Sequence, residues 1–503
     1  MVATAVSGPE PSPEPAPALD VADMQGLVAR AYGRHRVARY VFLAVAAGEA
    51  GAGAARRWLG SVIGDVSTAS DRGDAETGPC LNLAFTWSGL KALGLPPEAL
   101  ATFPRPVQEG IVTPHRSRIL GDHGPNDPAR WRWGGPANPE IHLMVMLYAA
   151  DGDELDTEHA LRRAAYTAGG AFAEVGDPID GVVLDDKGTE HFGFADGLSQ
   201  PLMKGWPRAT GSVHPPAPAP PRKWTEVNPG EIVLGYDDNF DKPAEGPTVA
   251  AASDRSHCLA DAPWAGRGRR HLGQSGTYLV FRQLAQDVAG FRRFTQSPGS
   301  VPPGDGVDGG LLAAKLVGRW PNGAPLVLAP DRPDQAPAGA NDFGYHVDQA
   351  GLACPLGAHV RRSNPRDSSA DHPERARKSN LNHRILRRGR SYGLPLVDPP
   401  SRPGEGPDAE RGLVFICLNA DIERQFEFVQ HTWLGNPFFA GLSGEVDPLV
   451  GNRPDGGAFT LPADPLRRRV TGLPTFVTVR GGGYFFLPGI SALRYLATLA
   501  PDG

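Results

Sequence analysis

Cysteine is scarce in this chain: its 503 residues include four, Cys80, Cys258, Cys354 and Cys417. None of them forms a Cys-x-x-Cys pair, which argues against a zinc ribbon and against a thioredoxin-type redox site. So sparse a set does not look like a disulfide framework, and it is compatible with a reducing compartment.

Long apolar runs and an excess of basic residues are also lacking. No stretch reaches about 18 consecutive apolar residues, so no membrane-spanning helix is expected. The net charge of -6 offers no basic surface to nucleic acid or to an anionic membrane. The first 20 residues are rich in proline and acidic side chains and lack the basic region and apolar core of a secretory signal. We therefore expect a cytoplasmic protein without nucleic-acid or membrane partners, and its oligomeric state is not indicated.

Apolar runs of strand length alternate with amphipathic helical segments, and the same order occurs twice along the chain. The first half reads strand–helix–strand–strand–helix–strand, over residues 38–46, 54–66, 81–86, 141–149, 155–175 and 179–186, with a long loop expected between 96 and 141. The second half repeats the rhythm over residues 276–294, 412–419, 421–434 and 474–488. This is the split βαβ arrangement. The predicted fold is α+β, with two ferredoxin-like domains and antiparallel sheets.

Composition divides the chain further. Residues 1–19 are predicted to be a disordered, proline-rich N-terminus, because such a segment buries too little apolar surface to fold. The first ferredoxin-like domain is expected over residues 20–208 and the second over 231–503. Between them lies a proline-rich segment, 209–230, which we interpret as a linker.

The segment LACPLGAHVRRSNPRD (352–367) carries the best candidate for a metal ligand, His359. Small residues precede it, which would let a large planar ligand approach the backbone, and imidazole is the usual proximal ligand to haem iron. The other imidazole nitrogen needs an acceptor, and Asp421 and Glu423 are the candidates. Arg361 and Arg366 follow closely, and guanidinium groups pair well with carboxylates such as haem propionates.

Two further segments carry residues suited to peroxide chemistry. In HFGFADGLSQP (191–201), glycines bracket Asp196, which indicates a turn of unusual backbone angles with an acidic group that can move a peroxide proton. In NHRILRRGRSYGLP (382–395) there are four arginines. A fixed cation near the departing oxygen stabilises the charge that develops when the O–O bond breaks.

Together these segments resemble the dye-decolourising peroxidase family. GFADG (193–197) matches its Gly-x-x-Asp-Gly motif, CPLGAHVRRSNPR (354–366) matches the surroundings of its proximal histidine, and ILRRGRSYG (385–393) matches those of its distal arginine. Weaker matches extend the resemblance over nearly the whole chain from about residue 20 onward.

The resemblance implies one haem b per chain, held mainly by the C-terminal half through His359 as the iron ligand. By motif, Asp196 is the distal acid/base and Arg387 the distal arginine. The predicted haem contacts are completed by Gly197, Arg361, Arg366 and Phe415. The implied activity is the oxidation of bulky dyes, phenolic or other aromatic substrates by hydrogen peroxide, in one-electron steps and at acidic pH. Three aromatic residues are candidates for passing electrons to substrates at the surface: Tyr392, Trp433 and Tyr484.

Two other functions stay open at this point. A haem-handling protein of the deferrochelatase kind would bind haem without needing both Asp196 and Arg387. A non-enzymatic cargo or interaction protein built on ferredoxin-like domains would need neither haem nor His359.

Overall fold

The computed structural model describes residues 19–70, 78–206, 225–297, 307–368, 371–397, 399–401, 403–453 and 455–499. The predicted disordered N-terminus, apart from residue 19, and residues 209–224 of the predicted linker lie outside this part of the chain. Within it, no helix is long and apolar enough to cross a membrane.

The strands are β1 (Val37–Val45), β2 (Cys80–Phe85), β3 (Leu143–Ala149), β4 (Phe172–Glu174), β5 (Ile179–Val182), β6 (Leu202–Met203), β7 (Glu226–Val227), β8 (Thr248–Ala250), β9 (Ala260–Asp261), β10 (Arg269–His271), β11 (Thr277–Gln286), β12 (Leu386–Arg387), β13 (Arg390–Tyr392), β14 (Gly412–Asn419), β15 (Gly457–Leu461), β16 (Arg468–Leu473) and β17 (Val477–Leu487). The α-helices are α1 (Gly26–Ala29), α2 (Gly48–Val62), α3 (Trp87–Ala92), α4 (Pro97–Leu100), α5 (Arg105–Glu109), α6 (Pro114–Leu120), α7 (Gly152–Thr167), α8 (Val288–Gln296), α9 (Gly309–Val317), α10 (His359–Ser363), α11 (Pro373–Leu381) and α12 (Ile490–Ala497).

Each half of the chain forms a split βαβ unit. In the first half β1, α2, β2, β3, α7 and β5 follow one another, and the antiparallel strands lie in the order β2–β3–β1–β5. In the second half the order is β17–β11–β14–β13, and two π-helical segments, Glu423–Glu427 and Val429–Leu434, take the place of the second helix. The predicted α+β fold with ferredoxin-like units is confirmed.

The two sheets join into one closed ring of strands. At one joint Val182 of β5 pairs with Ser391 of β13, and at the other Phe85 of β2 pairs with Phe486 of β17. Alternate residues of these strands point into the ring, where side chains of both halves pack together. The Phe281 ring of β11, for example, lies 5.1 Å from that of Tyr40 on β1. The halves therefore share one core.

The predicted loop between residues 96 and 141 contains the three short helices α4, α5 and α6. Each has a proline at its first or second position. Proline is favoured in the first turn of a helix, where its missing N–H costs nothing, so a proline-rich stretch can contain short helices. The prediction of a continuous loop was wrong for that reason.

A buried ion pair connects this insertion to the second half. Arg116 of α6 donates from Nη1 to both carboxylate oxygens of Glu427, at 2.5 and 2.7 Å. The two side chains are 2% and 4% exposed. Glu427 also accepts a hydrogen bond of 2.8 Å from the Tyr484 hydroxyl. The carboxylate is therefore held from two sides inside the protein.

Removing the Arg116 guanidinium should leave Glu427 buried without its counter-charge. We expect Arg116→Leu to lower the free energy of unfolding by about 3–5 kcal/mol, the usual cost of breaking a buried ion pair from one side. Urea unfolding would measure this loss. Arg118→Leu, at an exposed position of the same helix, is the matched control and should change stability by less than about 0.5 kcal/mol. Equal losses in the two variants would contradict the assignment.

Candidate active site

His359 begins the short helix α10 and is fixed by a buried carboxylate. Its Nδ1 lies 3.0 Å from Oδ2 of Asp447, and Oδ1 of Asp447 accepts from the backbone N–H groups of Leu449 and Val450, both at 2.9 Å. With the Nδ1 hydrogen held by a carboxylate, Nε2 is the nitrogen that keeps a lone pair for a metal. Burial lowers the pKa of His359, but Asp447 outweighs it and holds that pKa above its ordinary value.

The predicted acceptors for His359 were wrong. The Asp421 carboxylate accepts from the N–H of Arg424 at the start of the π-helical segment, where it acts as a cap. Glu423 is exposed and lies 3.4 Å from Arg116. Both residues were chosen for their place at a predicted helix start. The partner found, Asp447, lies 88 residues beyond His359 in a loop without a motif.

Asp196 and Arg387 meet directly. Arg387 donates from Nη1 to Oδ1 of Asp196 at 2.7 Å. Positive φ angles of 94° at Gly193 and 75° at Gly197 give the chain the tight turn that presents Asp196. Burial raises the pKa of Asp196, but Arg387 and the Gly197 N–H outweigh it, and the pKa lies below its ordinary value. Asp196 therefore stays ionised in moderately acidic solution.

The three main predicted residues lie close enough for their charges to act on one another. The side chains of Asp196, Arg387 and His359 keep 38%, 30% and 28% of their surface accessible. The charge of His359 lowers the pKa of Asp196, and Arg387 lowers the pKa of His359. The structure thus places an acid, a fixed cation and an imidazole around one site.

A cluster of buried arginines lies beside this pair. Arg366 and Arg387 both depress the pKa of Arg384, which burial in the first place lowers to about 9, and they act on Arg319 in the same way. Nη1 of Arg384 has no hydrogen-bond partner among the described residues. Several guanidinium groups held together in the interior form a site for an anionic group. The sequence did not single out Arg319 or Arg384 as members of this cluster.

The other predicted contacts lie in varied surroundings. Arg361 donates to Asp348 at 3.1 Å and to the Cys354 carbonyl at 2.6 Å, so the structure uses it in an ion pair. Arg366 donates to two backbone carbonyls, those of Asn341 and Phe343. Phe415 lies half-buried on β14. The predicted haem contacts of Arg361, Arg366, Gly197 and Phe415 stay predictions.

The remaining arginines of the 382–395 segment serve the scaffold. Arg388 donates to the carbonyls of Leu27 and Val28, both at 2.8 Å. Arg390 donates to carbonyls in the stretch 31–35. Within this segment Arg387 is the one that reaches Asp196.

The three aromatic candidates for electron transfer differ in position. Tyr484 is 3% exposed and donates its hydroxyl to Glu427, so it does not serve as a surface exit. Tyr392 and Trp433 are 7% and 8% exposed. The Tyr392 hydroxyl donates to Glu410 at 3.2 Å, and Arg132 and Arg480 pair with the same carboxylate.

The residues present fit a haem. His359 offers a nitrogen whose tautomer Asp447 fixes, as iron ligation requires. The arginine cluster, with an unpaired nitrogen on Arg384, suits the two propionates. The Asp196–Arg387 pair adds an acid/base group and a cation close to the His359 imidazole.

Comparisons with known proteins agree with this geometry. Models of known protein families gave no match. The chain is 30% identical over 443 residues to a dye-decolorizing peroxidase of Mycetinis scorodonius, covering 82% of this chain and 75% of that protein. It is 31% identical over 389 residues to a multifunctional dye peroxidase of Amycolatopsis, covering 74% of each. The chain belongs to the dye-decolourising peroxidase family.

The structural comparison gives the same result. A dye-decolorizing peroxidase solved in complex with 2,6-dimethoxyphenol matches with a TM-score of 0.73 and 25% identity, covering 96% of this chain and all of that one. Members of this family are haem enzymes, oxidoreductases that act on peroxide, and the predicted enzyme class is confirmed. A deferrochelatase of Yersinia pestis matches 34% of this chain, at 29% identity.

The unpaired nitrogen of Arg384 leads to a prediction about cofactor binding. Arg384→Leu should weaken haem affinity by about 10–100-fold, the value of one hydrogen bond to a charged group. The haem-free variant should keep its stability, because the lost guanidinium is crowded by Arg366 and Arg387. Haem titration followed by absorbance, with urea unfolding of the haem-free protein, would test both. Arg375→Leu, at an exposed position of α11, is the control and should change neither. Unchanged haem affinity in Arg384→Leu would contradict the assignment.

Proposed function

We propose that this chain is a haem-dependent peroxidase that binds one haem b through His359. It uses hydrogen peroxide to oxidise dyes and phenolic or other aromatic substrates in one-electron steps, with an acidic optimum. The observation that carries the proposal is the 2.7 Å contact of Arg387 with Asp196, close enough to the His359–Asp447 pair for both charges to act on His359.

The haem, when bound, supplies the iron that receives peroxide and holds the oxidising equivalents. The chain supplies proton movement and charge. Asp196 takes a proton from one oxygen of hydrogen peroxide and returns it to the other, which leaves as water. Arg387 stabilises the negative charge on the departing oxygen and keeps Asp196 ionised before the step. Asp447 holds the His359 imidazole in the orientation and tautomer that bind metal.

Two observations favour this function over its alternatives. The two matches to dye peroxidases described above cover 82% and 74% of the chain, whereas the deferrochelatase match covers 34%. A haem-handling protein has no need of an acid held against a guanidinium, and a cargo protein has no need of the His359–Asp447 pair. The relative solved with 2,6-dimethoxyphenol supports a phenolic substrate class.

The first prediction concerns the iron ligand. His359→Ala should lose haem, or should hold it with a site that added imidazole fills, because the variant lacks the Nε2 that Asp447 leaves available for a metal. The Soret band of the purified variant, with and without imidazole, measures this. His115→Ala, at an exposed position, should keep the spectrum of the unchanged protein. A normal Soret band and full haem content in His359→Ala would refute the assignment.

The second concerns the distal cation. Arg387→Leu should slow the reaction of the haem-loaded enzyme with hydrogen peroxide on the order of 100–1,000-fold, the typical cost of losing a charge-stabilising donor. Stopped-flow absorbance with peroxide alone is the measurement. Arg388→Leu is the matched variant, since that guanidinium binds the Leu27 and Val28 carbonyls instead. If both variants slow the peroxide step equally, Arg387 has no special role.

The third concerns pH. Asp196 accepts a proton only when ionised, and its pKa lies below the ordinary 3.8, so the peroxide step should persist into acid and fall only below about that pH. Asp196→Asn should depress the rate and abolish this acid limb. The rate of the peroxide step between pH 2.5 and 7 measures both effects. A variant that keeps the rate and the limb would leave Asp196 as a turn residue only.

A further inference from the structure

Besides the Asp196–Arg387 ion pair, the loop that carries Asp196 is attached at three points to the segment that carries Arg387. One of them is the hydrogen bond of 3.1 Å from Nη2 of Arg384 to the Ser199 carbonyl. On one side of Asp196, Oε1 of Gln200 accepts a hydrogen bond of 3.0 Å from the backbone N–H of Arg387. On the other side, Nε2 of His191 lies 2.8 Å from the carbonyl of Tyr392. On the loop, the Gln200 and His191 contacts lie on either side of Asp196; on the other segment they are made by Arg387 itself and by Tyr392.

The Gln200 contact fills a gap that the sheet leaves open. Arg387 lies on β12, an edge strand whose one neighbour is β14. The N–H of the next residue, Arg388, donates to the Ile416 carbonyl of β14 at 2.8 Å. Because successive N–H groups of a strand point in opposite directions, the Arg387 N–H points away from β14 and has no sheet partner. Gln200 supplies its acceptor.

The His191 side chain is buried, and its imidazole stays in the neutral state. Burial lowers the pKa of His191 to about 4, so the ring is neutral above that pH. A carbonyl oxygen only accepts hydrogen bonds, so Nε2 carries the hydrogen and donates it to Tyr392. Tyr392 ends β13, the strand that directly follows β12. His191 therefore holds the far end of the Arg387 segment.

The loop between the two contacts is itself stiff. The Glu190 carboxylate accepts from the backbone N–H groups of Phe192 and Phe194, at 2.9 and 3.1 Å, and from Nε2 of Gln286 on β11 at 2.7 Å. The N–H of Asp196 closes the loop on the Gly188 carbonyl at 3.0 Å. A displacement at either contact is therefore passed on to Asp196.

We propose that Gln200 and His191 are positioning residues that hold the Asp196 carboxylate against the Arg387 guanidinium. Neither is needed to touch substrate. Because they lie on opposite sides of Asp196 in the loop, these two contacts limit both the distance and the rotation between the loop and the edge strand. The kinetic consequence rests on the proposed function, whereas the attachment itself does not.

Hydrogen–deuterium exchange tests the attachment directly. In Gln200→Leu the amide of Arg387 loses its acceptor, and peptides that cover it should exchange about five- to tenfold faster, as expected for one lost hydrogen bond. Gln200→Glu keeps an oxygen in place and should retain the protection. Gln296→Leu, an exposed glutamine at the end of α8, is the matched control and should change nothing. The measurement is made on haem-free and haem-loaded protein, and unchanged exchange in Gln200→Leu overturns the proposal.

The acid limb of the peroxide step tests positioning. Arg387, His359 and Glu190 act on Asp196 through their charges, and Arg387 contacts its carboxylate directly. If the ion pair loosens, the pKa of Asp196 rises, and the acid limb should move up by about one pH unit. We expect this shift in His191→Leu. It should be absent in His191→Gln, whose amide can donate to the Tyr392 carbonyl as the imidazole does.

Each result of these two experiments is decisive. An equal shift in His191→Leu and His191→Gln would mean that the histidine acts by packing, and no shift in His191→Leu would mean that it positions nothing. Both outcomes overturn the proposal for His191. If Gln200→Leu does not fold, the His191 pair carries the test. If the unchanged protein binds no haem or does not react with peroxide, the proposed function fails, while the exchange experiment still decides the attachment.

Discussion

The joint between β5 and β13 is the constraint on which the active site depends. It is made by one residue pair, Val182 with Ser391, and together with the Phe85–Phe486 joint it closes the ring between the two halves. The chain leaves β5 toward the loop of Asp196, and β13 directly follows the short strand of Arg387. The acid and its cation come from different halves of the chain. They come together because both lie next to the joint between β5 and β13. The shared core holds the ring of strands closed.

Near this joint the protein holds several positively charged arginines in its interior. Burial, together with Arg366 and Arg387, lowers the pKa values of Arg319 and Arg384. The hydrogen bonds of these four guanidinium groups go mainly to backbone carbonyls and to one carboxylate. Carbonyl dipoles solvate a guanidinium but do not neutralise it. The haem-free fold therefore carries an electrostatic cost that an anionic cofactor removes. Binding and folding are thereby linked, since a ligand that binds the folded state alone also stabilises it.

The sequence was informative wherever one residue type or one local pattern decides the outcome. Continuous apolar runs predicted strands such as β3, in which every residue is buried. The glycines around Asp196 indicated its turn, and the family motifs singled out His359 and Arg387. Long-range partners could not be found in this way. Asp447 lies in a loop without a pattern of its own. The carbonyl groups that hold Arg388 and Arg390 belong to the backbone, which every residue shares.

The remaining differences concern helices. Prolines lie in the first turns of α4, α5 and α6, where the sequence predicted a loop. The helix predicted over 421–434 forms instead two π-helical segments, a conformation for which no reliable sequence signal exists and which is often found near functional sites. The acidic residues at its start then serve as caps or as partners of Arg116, so neither is available to His359.

The contacts of Arg388 and Arg390 extend the active site to a part of the chain that takes no part in the chemistry. Both guanidinium groups are buried, and most of their acceptors are main-chain carbonyls between residues 27 and 35, ahead of the first strand. This stretch therefore packs against the segment that carries Arg387. Shortening the chain at its N-terminal side past residue 35 would remove all the described acceptors of the Arg390 guanidinium and two of the three of Arg388. The N-terminal boundary of the catalytic unit therefore lies ahead of β1, where the chain supplies the acceptors of these two arginines.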